Sequence, residues 1–308
     1  MSELRDKVLG CVVGGAIGDA MGGPYEGRKG PLRVSSVFGA LSDDTQLTLA
    51  TCEAIIEAGK PEPEAVAKSF LRWFRERRIS GVGASTLKAL RDLDAGAHWA
   101  LAGRKGEMAA GNGAAMRIAP IAFFTDPDHS ESLTLVRDIC RITHHNDEAY
   151  AGALAVVLAL QAVLKHSNIS AEILLTRIID GLPHSALREQ FLRLTELQGQ
   201  SIASIAQRVG CSGYVVESVP LALYAAAEFS DLSFEDVLRR LIEVGGDTDT
   251  IASIAGQIIG ARIGLSGLSA EFIARLPDRD FVLSTAERFA MAVENANLRV
   301  ETDSGRLP

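Results

Sequence analysis

Two acidic clusters lie far apart in the chain, and both have residue types suited to binding a divalent cation. They are residues 42–45 (Ser-Asp-Asp-Thr) and residues 247–250 (Asp-Thr-Asp-Thr). Each combines two carboxylates with hydroxyl groups, and hard oxygen ligands of this kind suit Mg²⁺ or Mn²⁺. Helix N-capping is the simpler explanation for either cluster alone. Two clusters of such similar composition favour a shared metal site.

The residues around the second cluster predict that its carboxylates are held rigidly. Gly245 and Gly246 precede it and allow a tight backbone turn. Ile251, Ile254 and Ile258 follow with the spacing of a buried helical face. The cluster is therefore expected at the start of a packed helix.

Two further carboxylates could assist such a site. Glu26 lies in a Gly-rich loop, where it has no helical partner and could reach into a cleft, although a plain surface position is the alternative. Asp19 could accept a hydrogen bond behind the metal ligands, or it could simply cap a helix.

Three segments are candidates for ligand binding. Residues 111–117 (Gly-Asn-Gly-Ala-Ala-Met-Arg) are predicted to open a helix whose free N–H groups could cradle a phosphate, unless Asn112 only caps that helix. His144, in the sequence Thr-His-His, could bind an anion or hydrogen-bond a ligand, or have no role. Tyr214 follows Gly213 and could stack on a base, although core packing is commoner for a lone tyrosine.

The glycines between Gly14 and Gly22 resemble a dinucleotide-binding fingerprint only superficially. No strand precedes them, and they lie within a helical pattern that begins near Leu4. We expect them to allow close contact between helices instead.

Composition predicts one all-α domain. The chain has 308 residues, 47% of them hydrophobic, with 29 glycines and few β-branched or aromatic runs. The net charge of −8 provides no basic surface for general nucleic-acid binding or for an anionic membrane. The four cysteines are scattered, without a zinc motif. Neither a signal peptide nor an apolar run long enough to span a membrane is expected, so a cytoplasmic location is predicted.

The helical periodicity predicts a domain over residues 1–298 and a flexible tail over 299–308. No strand alternation is evident. After the first helix, the predicted helices cover residues 44–58, 62–77, 84–94, 112–123, 131–142, 147–165, 170–180, 185–197, 217–228, 233–243, 249–263 and 281–297.

Together these segments resemble the ADP-ribosylglycohydrolase family, from about Val8 to Gly264. The resemblance rests on motifs in the family's order, at residues 14–20 with Glu26 following, 42–46, 111–120, 143–144, 213–215 and 245–251. It implies an orthogonal α-helical bundle with a binuclear Mg²⁺ or Mn²⁺ centre beneath an ADP-ribose cleft. Its partner would be an ADP-ribosylated protein or an ADP-ribosyl small molecule.

The resemblance also implies a role for each matching residue. The metal ligands would be Ser42, Asp43, Asp44, Asp247, Asp249 and Thr250. ADP-ribose would lie along Gly111, Asn112, Gly113, Met116 and His144, with its adenine near Gly213 and Tyr214. Glu26 would approach the scissile bond, and Glu26, Asp43 and Asp249 would be the catalytic carboxylates. Ser42 stands where many members have threonine, and the loop from Glu26 to Ser42 is short.

The expected activity is hydrolysis of the bond between ADP-ribose and an acceptor, which passes through oxocarbenium-like charge that carboxylates stabilise. The alternatives are a catalytically silent ADP-ribose-binding or structural protein and a di-metal nucleotide phosphohydrolase. All six expected ligands carry oxygen, which disfavours a silent relative. The acceptor could be arginine, serine, a base or a metabolite.

Overall fold

The computed structural model is α-helical and describes residues 1–35 and 37–304. Within these residues the helices are α1 (Glu3–Gly22), α2 (Asp43–Ala58), α3 (Pro63–Arg75), α4 (Ala84–Asp94), α5 (Trp99–Ala102), α6 (Ala119–Ala122), α7 (Ser130–Arg141), α8 (Asp147–Lys165), α9 (Ala171–Gly181), α10 (Ala186–Thr195), α11 (Ile202–Val209), α12 (Val215–Ala227), α13 (Phe234–Glu243), α14 (Thr248–Ile263), α15 (Ala270–Arg275) and α16 (Arg279–Ser304). Two strands of two residues each, β1 (Arg104–Lys105) and β2 (His144–His145), pair in parallel. The all-α prediction is confirmed.

The predicted helix over residues 112–123 is wrong. This segment contains a single 3-10 turn, Ala115–Arg117, and the one-turn helix α6. Pro120 explains the break, because it has no N–H to donate to the carbonyl of Met116. That carbonyl instead accepts the side-chain amide of Gln257 at 2.7 Å and the hydroxyl of Thr48 at 3.4 Å.

Three helices were not predicted: α5, α11 and α15. Two of them are only four and six residues long. Helix α11 carries Ile202, Ile205, Ala206 and Val209 on one buried face, which is the helical spacing, but it has only eight residues. Periodicity over so short a window does not distinguish a helix from a loop.

Helices α1 and α14 pack backbone against backbone. A Cβ atom added at Gly14 would lie 2.4 Å from the Gly256 carbonyl oxygen, and one added at Gly256 would lie 2.2 Å from the Gly14 carbonyl oxygen. At the end of α1, a Cβ at Gly22 would lie 2.5 Å from the Cα of Asp249. The glycines of α1 therefore allow close helix contact, as predicted, and they bring its C-terminal end against the second acidic cluster.

Helix α8 corrects one expectation. By length and composition it is apolar enough to cross a membrane, whereas no such run was expected. However, 78% of its apolar window is buried within the structure, which is the pattern of a core helix. Its buried residues belong to one hydrophobic cluster that includes residues from Val8 to Val293.

The C-terminal tail remains a prediction. Helix α16 continues to Ser304, beyond the predicted start of the tail at residue 299, and residues 305–308 lie outside the described residues.

Candidate metal centre and ligand cleft

The two acidic clusters, which are far apart in sequence, meet in the fold. The first begins α2 and the second begins α14. The Thr250 hydroxyl donates a hydrogen bond to Asp44 Oδ2 at 3.2 Å. Carboxylate oxygens of Asp19, Asp44 and Asp249 all lie within 4.8 Å of one another, as do those of Glu26, Asp247 and Asp249. Asp249 belongs to both groups, so it stands at the centre of the site.

Asp19 caps α2 from another helix. It is completely buried near the end of α1. Its Oδ2 accepts the backbone N–H groups of Ser42 and Thr45 at 3.0 and 3.2 Å, and the Thr45 hydroxyl at 2.5 Å. These bonds satisfy donors that a helix start leaves free. Asp19 therefore fixes the first acidic cluster relative to α1. It both accepts hydrogen bonds behind this cluster and caps a helix, which were the two roles considered for it.

Asp44 has a buried oxygen without a partner. It is 1% exposed, and its Oδ2 accepts the hydroxyls of Ser42 and Thr250. Its Oδ1 is buried and has no hydrogen-bond partner. Buried polar atoms are normally satisfied, so this oxygen is available to a cation.

Glu26 is less free than its loop composition predicted. The Gly27 N–H donates to the Gly246 carbonyl at 2.8 Å, and the Gly246 N–H donates to the Arg28 carbonyl at 2.8 Å. Gly246 has a φ of 83°, and a Cβ there would lie 2.1 Å from the Cys211 carbonyl oxygen. The tight turn predicted before the second cluster is therefore present, and it binds the backbone next to Glu26.

Burial and mutual repulsion raise the pKa values of Asp43, Asp44 and Asp249. Burial, followed by the charge of Asp19, raises the pKa of Asp43 to about 8. Burial, followed by the charge of Asp247, raises the pKa of Asp249 to about 9. The same causes, with Asp249 as the main neighbouring charge, raise the pKa of Asp44 well above its ordinary value. These three carboxyl groups therefore hold protons at neutral pH unless a cation compensates their charge.

A cleft of about 490 Å³ opens over the acidic residues. Of the predicted site residues, it is lined by Glu26, Asp43, Asp44, Gly111, Asn112, Gly113, Met116, His144, Gly213, Asp247, Asp249 and Thr250. Ser42 lies behind this lining as the N-cap of α2. Tyr214 is also outside the lining, but it is 42% exposed, so the alternative that it is a core residue is excluded.

Two of the predicted binding segments join to form one wall of the cleft. Gly111 and Tyr214 form an antiparallel bridge, and the Asn112 N–H donates to the Gly213 carbonyl at 3.1 Å. The Asn112 side chain donates to Asp247 Oδ2 at 2.6 Å. Asn112 thus does not cap a helix, and its amide connects the glycine-rich wall to the acidic residues.

His144 packs against this wall at the edge of the cleft and is 3% exposed. A Cβ added at Gly113 would lie 2.9 Å from His144 Cε1, so glycine is needed for the close contact. Burial, followed by the charge of Arg117, lowers the pKa of His144 to about 3. The imidazole is therefore neutral in the folded protein at physiological pH.

Several cleft residues were not predicted from the sequence: Gly81, Gly83, Ser85, Thr86, Arg104, Met108 and Ser212. Gly83 precedes α4, which has no side-chain N-cap. A glycine-flanked helix start without a capping residue was the available signal for this segment. The sequence contained no comparable signal for Arg104, because the strand that positions it is only two residues long.

Comparison with known proteins identifies the family of this chain. A sequence model of the family described as ADP-ribosylglycohydrolase matches residues 1–299. The chain is 29% identical to the ADP-ribosylarginine hydrolase Tri1 of Pseudomonas putida, over 89% of this chain and 75% of that one. It is 26% identical to the ADP-ribosyl-[dinitrogen reductase] glycohydrolase of Rhodospirillum rubrum, over 89% of this chain and 91% of that one.

A solved structure titled ADP-ribosylglycohydrolase-related protein complex has the same fold. It superposes with a TM-score of 0.74 at 28% identity and covers 95% of this chain and 100% of its own. Names of the matched relatives also support an ADP-ribosyl hydrolase activity. With the family match extending over nearly the whole chain, the protein belongs to the ADP-ribosylglycohydrolase family.

Proposed function

We propose that this protein uses two divalent cations, Mg²⁺ or Mn²⁺, to hydrolyse the glycosidic bond between ADP-ribose and an acceptor, releasing ADP-ribose. The observation that carries the proposal is the buried, unpartnered Oδ1 of Asp44 within the converging carboxylates. An acidic site of this kind is stable when a cation neutralises it.

The donor set fits the proposed cations. The candidate ligands supply only carboxylate and hydroxyl oxygens, which hard divalent cations prefer. They are Ser42, Asp43, Asp44, Asp247, Asp249 and Thr250. When bound, the cations would polarise a substrate oxygen and supply the positive charge that balances the carboxylates.

The distribution of charge in the cleft matches the two parts of ADP-ribose. Among the described lining residues, Arg104 is the one permanent cation, and it pairs through β1 with His144. The neighbouring Gly113 brings the backbone of this wall against the His144 ring, where a Cβ atom would lie 2.9 Å from Cε1. We assign the diphosphate to this wall and the distal ribose to the acidic residues.

Proton transfer is assigned to Glu26. Partial burial, followed by the charges of Asp247 and Asp19, raises its pKa, which favours the protonated form that can donate a proton to the leaving acceptor. It is exposed to the cleft, where an acceptor could reach it. Asp43 and Asp249 would stabilise the oxocarbenium-like charge that develops as the glycosidic bond breaks.

An ADP-ribosylated protein is the proposed partner, as the names of the two relatives suggest for those proteins. The acceptor is identified by incubating purified protein and MgCl₂ with ADP-ribosyl-arginine, ADP-ribosyl-serine and O-acetyl-ADP-ribose. Free ADP-ribose from one substrate supports the proposal. Release of phosphate or AMP instead would indicate a phosphohydrolase, and binding without turnover of any substrate would indicate a silent binding protein.

A further inference from the structure

Arg117 is a completely buried cation that the proposed chemistry does not use. Its Nη2 donates to Thr143 Oγ1 at 2.7 Å and to the Ile139 carbonyl at 3.3 Å. Its guanidinium lies 4.7 Å from the centre of the Phe70 ring. Among the described residues no carboxylate forms an ion pair with it, and its Nε and Nη1 have no hydrogen-bond partner. Burying a cation without an ionic partner costs free energy. The hydrogen bond from Arg117 to Thr143 is therefore expected to have a specific role.

The Arg117 contact determines the direction of the next hydrogen bond. A guanidinium can only donate, so Thr143 Oγ1 accepts from it. The single hydroxyl proton of Thr143 is then free for the neighbouring acceptor, and His144 Nδ1 lies 2.7 Å away. Nδ1 therefore accepts, and the proton of the neutral imidazole must reside on Nε2.

His144 Nε2 faces the glycine-rich wall. It lies 3.4 Å from the position of a Cβ at either Gly111 or Gly113, and His144 lines the cleft. Within the described part of the chain, Nε2 has no hydrogen-bond partner of its own. The neighbouring Arg104 is a half-buried cation in no ion pair with a described residue. A donor beside a free cation is suited to an oxyanion.

We propose that Arg117 and Thr143 are positioning residues that hold His144 as the tautomer protonated on Nε2, which donates a hydrogen bond to the diphosphate of bound ADP-ribose. The identity of the ligand rests on the proposed function, whereas the tautomer follows from the protein alone. Arg117 acts through Thr143 and does not touch the ligand. A fixed tautomer would ensure that the imidazole presents a proton, and not a lone pair, to the anion.

The tautomer is tested first, by ¹⁵N–¹H long-range correlation spectroscopy of the His144 ring. Thr143→Val removes the hydroxyl with little change of shape, and Thr143→Ser retains the hydroxyl as the matched control. We expect wild type and Thr143→Ser to show protonated Nε2 and unprotonated Nδ1, and Thr143→Val to show a mixture. A wild-type ring protonated on Nδ1, or an unchanged ring in Thr143→Val, would overturn the proposal.

Binding is tested by calorimetric titration with ADP-ribose. Thr143→Val should weaken binding about tenfold, as expected for one hydrogen bond to a charged group, while Thr143→Ser should stay within about twofold of wild type. His144→Gln supplies an amide donor near the Nε2 position and has no tautomer. In that background Thr143→Val should therefore cost no further affinity.

The His144→Gln background separates positioning from a structural role, because a purely structural effect of Thr143→Val would weaken binding equally in both backgrounds. That result would overturn the positioning role. Thermal melts of all variants show whether Thr143→Val folds, and the tautomer of a destabilised variant is read below its melting temperature. Wild-type protein that fails to bind ADP-ribose would instead overturn the proposed function, while its Nε2-protonated ring would still support the positioning role.

Discussion

The hydroxyl of Thr250 donates to Asp44 Oδ2 across 3.2 Å, although the two residues are 206 positions apart in sequence. This bond connects the first turn of α2 to the first turn of α14. Both helices are also held by α1, through Asp19 on one side and Gly22 on the other. The acidic centre therefore depends on three helices at once, and changes in any of them should affect it.

Asp249→Asn should reduce hydrolysis by at least about a hundredfold, because one lost electrostatic contact in an active site typically costs about 10² to 10³ in rate. The same change should raise the melting temperature of metal-free protein, since asparagine avoids the free-energy cost of keeping a buried carboxyl group protonated beside Asp44, Asp247 and Glu26. Steady-state kinetics and thermal melts measure the two effects.

Asp147→Asn is the matched control for Asp249→Asn, because Asp147 also lies in the first turn of a helix but is exposed. It should leave activity and metal-dependent stabilisation unchanged. Wild-type protein that remains fully active after exhaustive chelation would contradict the metal-dependent assignment.

Metal-free protein should lose stability as pH rises from the ordinary pKa of Asp43 and Asp249 up to their raised pKa values. The pKa values of Asp43 and Asp249 are about 8 and about 9 in the folded state, against an ordinary value of 3.8. The folded state then binds protons more tightly than the unfolded state. Their contribution to stability is complete below the ordinary pKa and is lost as pH rises through about 8 to 9.

A cation replaces those protons, so the rise in melting temperature produced by MgCl₂ should increase with pH over the same range. Melts of wild type and of the Asp43→Asn, Asp249→Asn double variant are compared at each pH. A metal effect that is equally large at low and high pH would contradict the raised pKa values.

Glu26→Gln should lower kcat by about 10² to 10⁴, the usual contribution of general acid or base catalysis, and should change ADP-ribose affinity much less. Glu26 is exposed, and in the proposed function it is not one of the six candidate ligands. Kinetics with the identified substrate and titration with ADP-ribose give the two values. A kcat within a few-fold of wild type would transfer the role to the buried carboxylates.

Tyr214→Ala should weaken ADP-ribose binding by about 1 to 3 kcal/mol, if the exposed ring stacks on adenine, and should barely affect ribose 5-phosphate. Because Tyr214 is 42% exposed, the substitution should leave the melting temperature nearly unchanged. Tyr214→Phe keeps the ring and should bind like wild type. Equal losses for both ligands would reject stacking.

Gly14→Ala should destabilise the protein by about 1 to 3 kcal/mol or more, because its Cβ would lie 2.4 Å from a backbone oxygen of α14 that cannot rotate away. Gly23→Ala is the control. It lies at the C-cap of the same helix in right-handed helical geometry, and its Cβ would meet its nearest atom at 3.7 Å. Urea denaturation of both variants measures the difference.

The sequence predicted the parts of this protein whose signals are local. Helices such as α4 and α8 have the predicted bounds, and residues 42–45 and 247–250 start helices as expected. The helix over residues 112–123 was wrongly predicted because the apolar periodicity continues through Pro120, where the carbonyl of Met116 finds partners on α2 and α14 instead. Those partners are 68 and 141 positions away, so no local pattern reports them.

The same limit applies to the site. The acidic residues were found from their clustering, but Arg104 was not, because its position depends on the pairing of β1 with His144. The series of hydrogen bonds from Arg117 through Thr143 to His144 was likewise not predicted. An arginine is normally expected at the surface, and the sequence does not indicate that Arg117 is completely buried.

The backbone contact between α1 and α14 limits how this protein can change. The two helices touch through glycine backbone atoms, so this contact contains no side chains that could be exchanged for larger or smaller ones. The spacing of the acidic clusters therefore cannot be adjusted by repacking side chains. New acceptor preferences, in nature or by engineering, would have to arise elsewhere along the cleft. Gly81 and residues 83–86 line it without belonging to that contact or to the proposed diphosphate wall, and they are the places where libraries should be built.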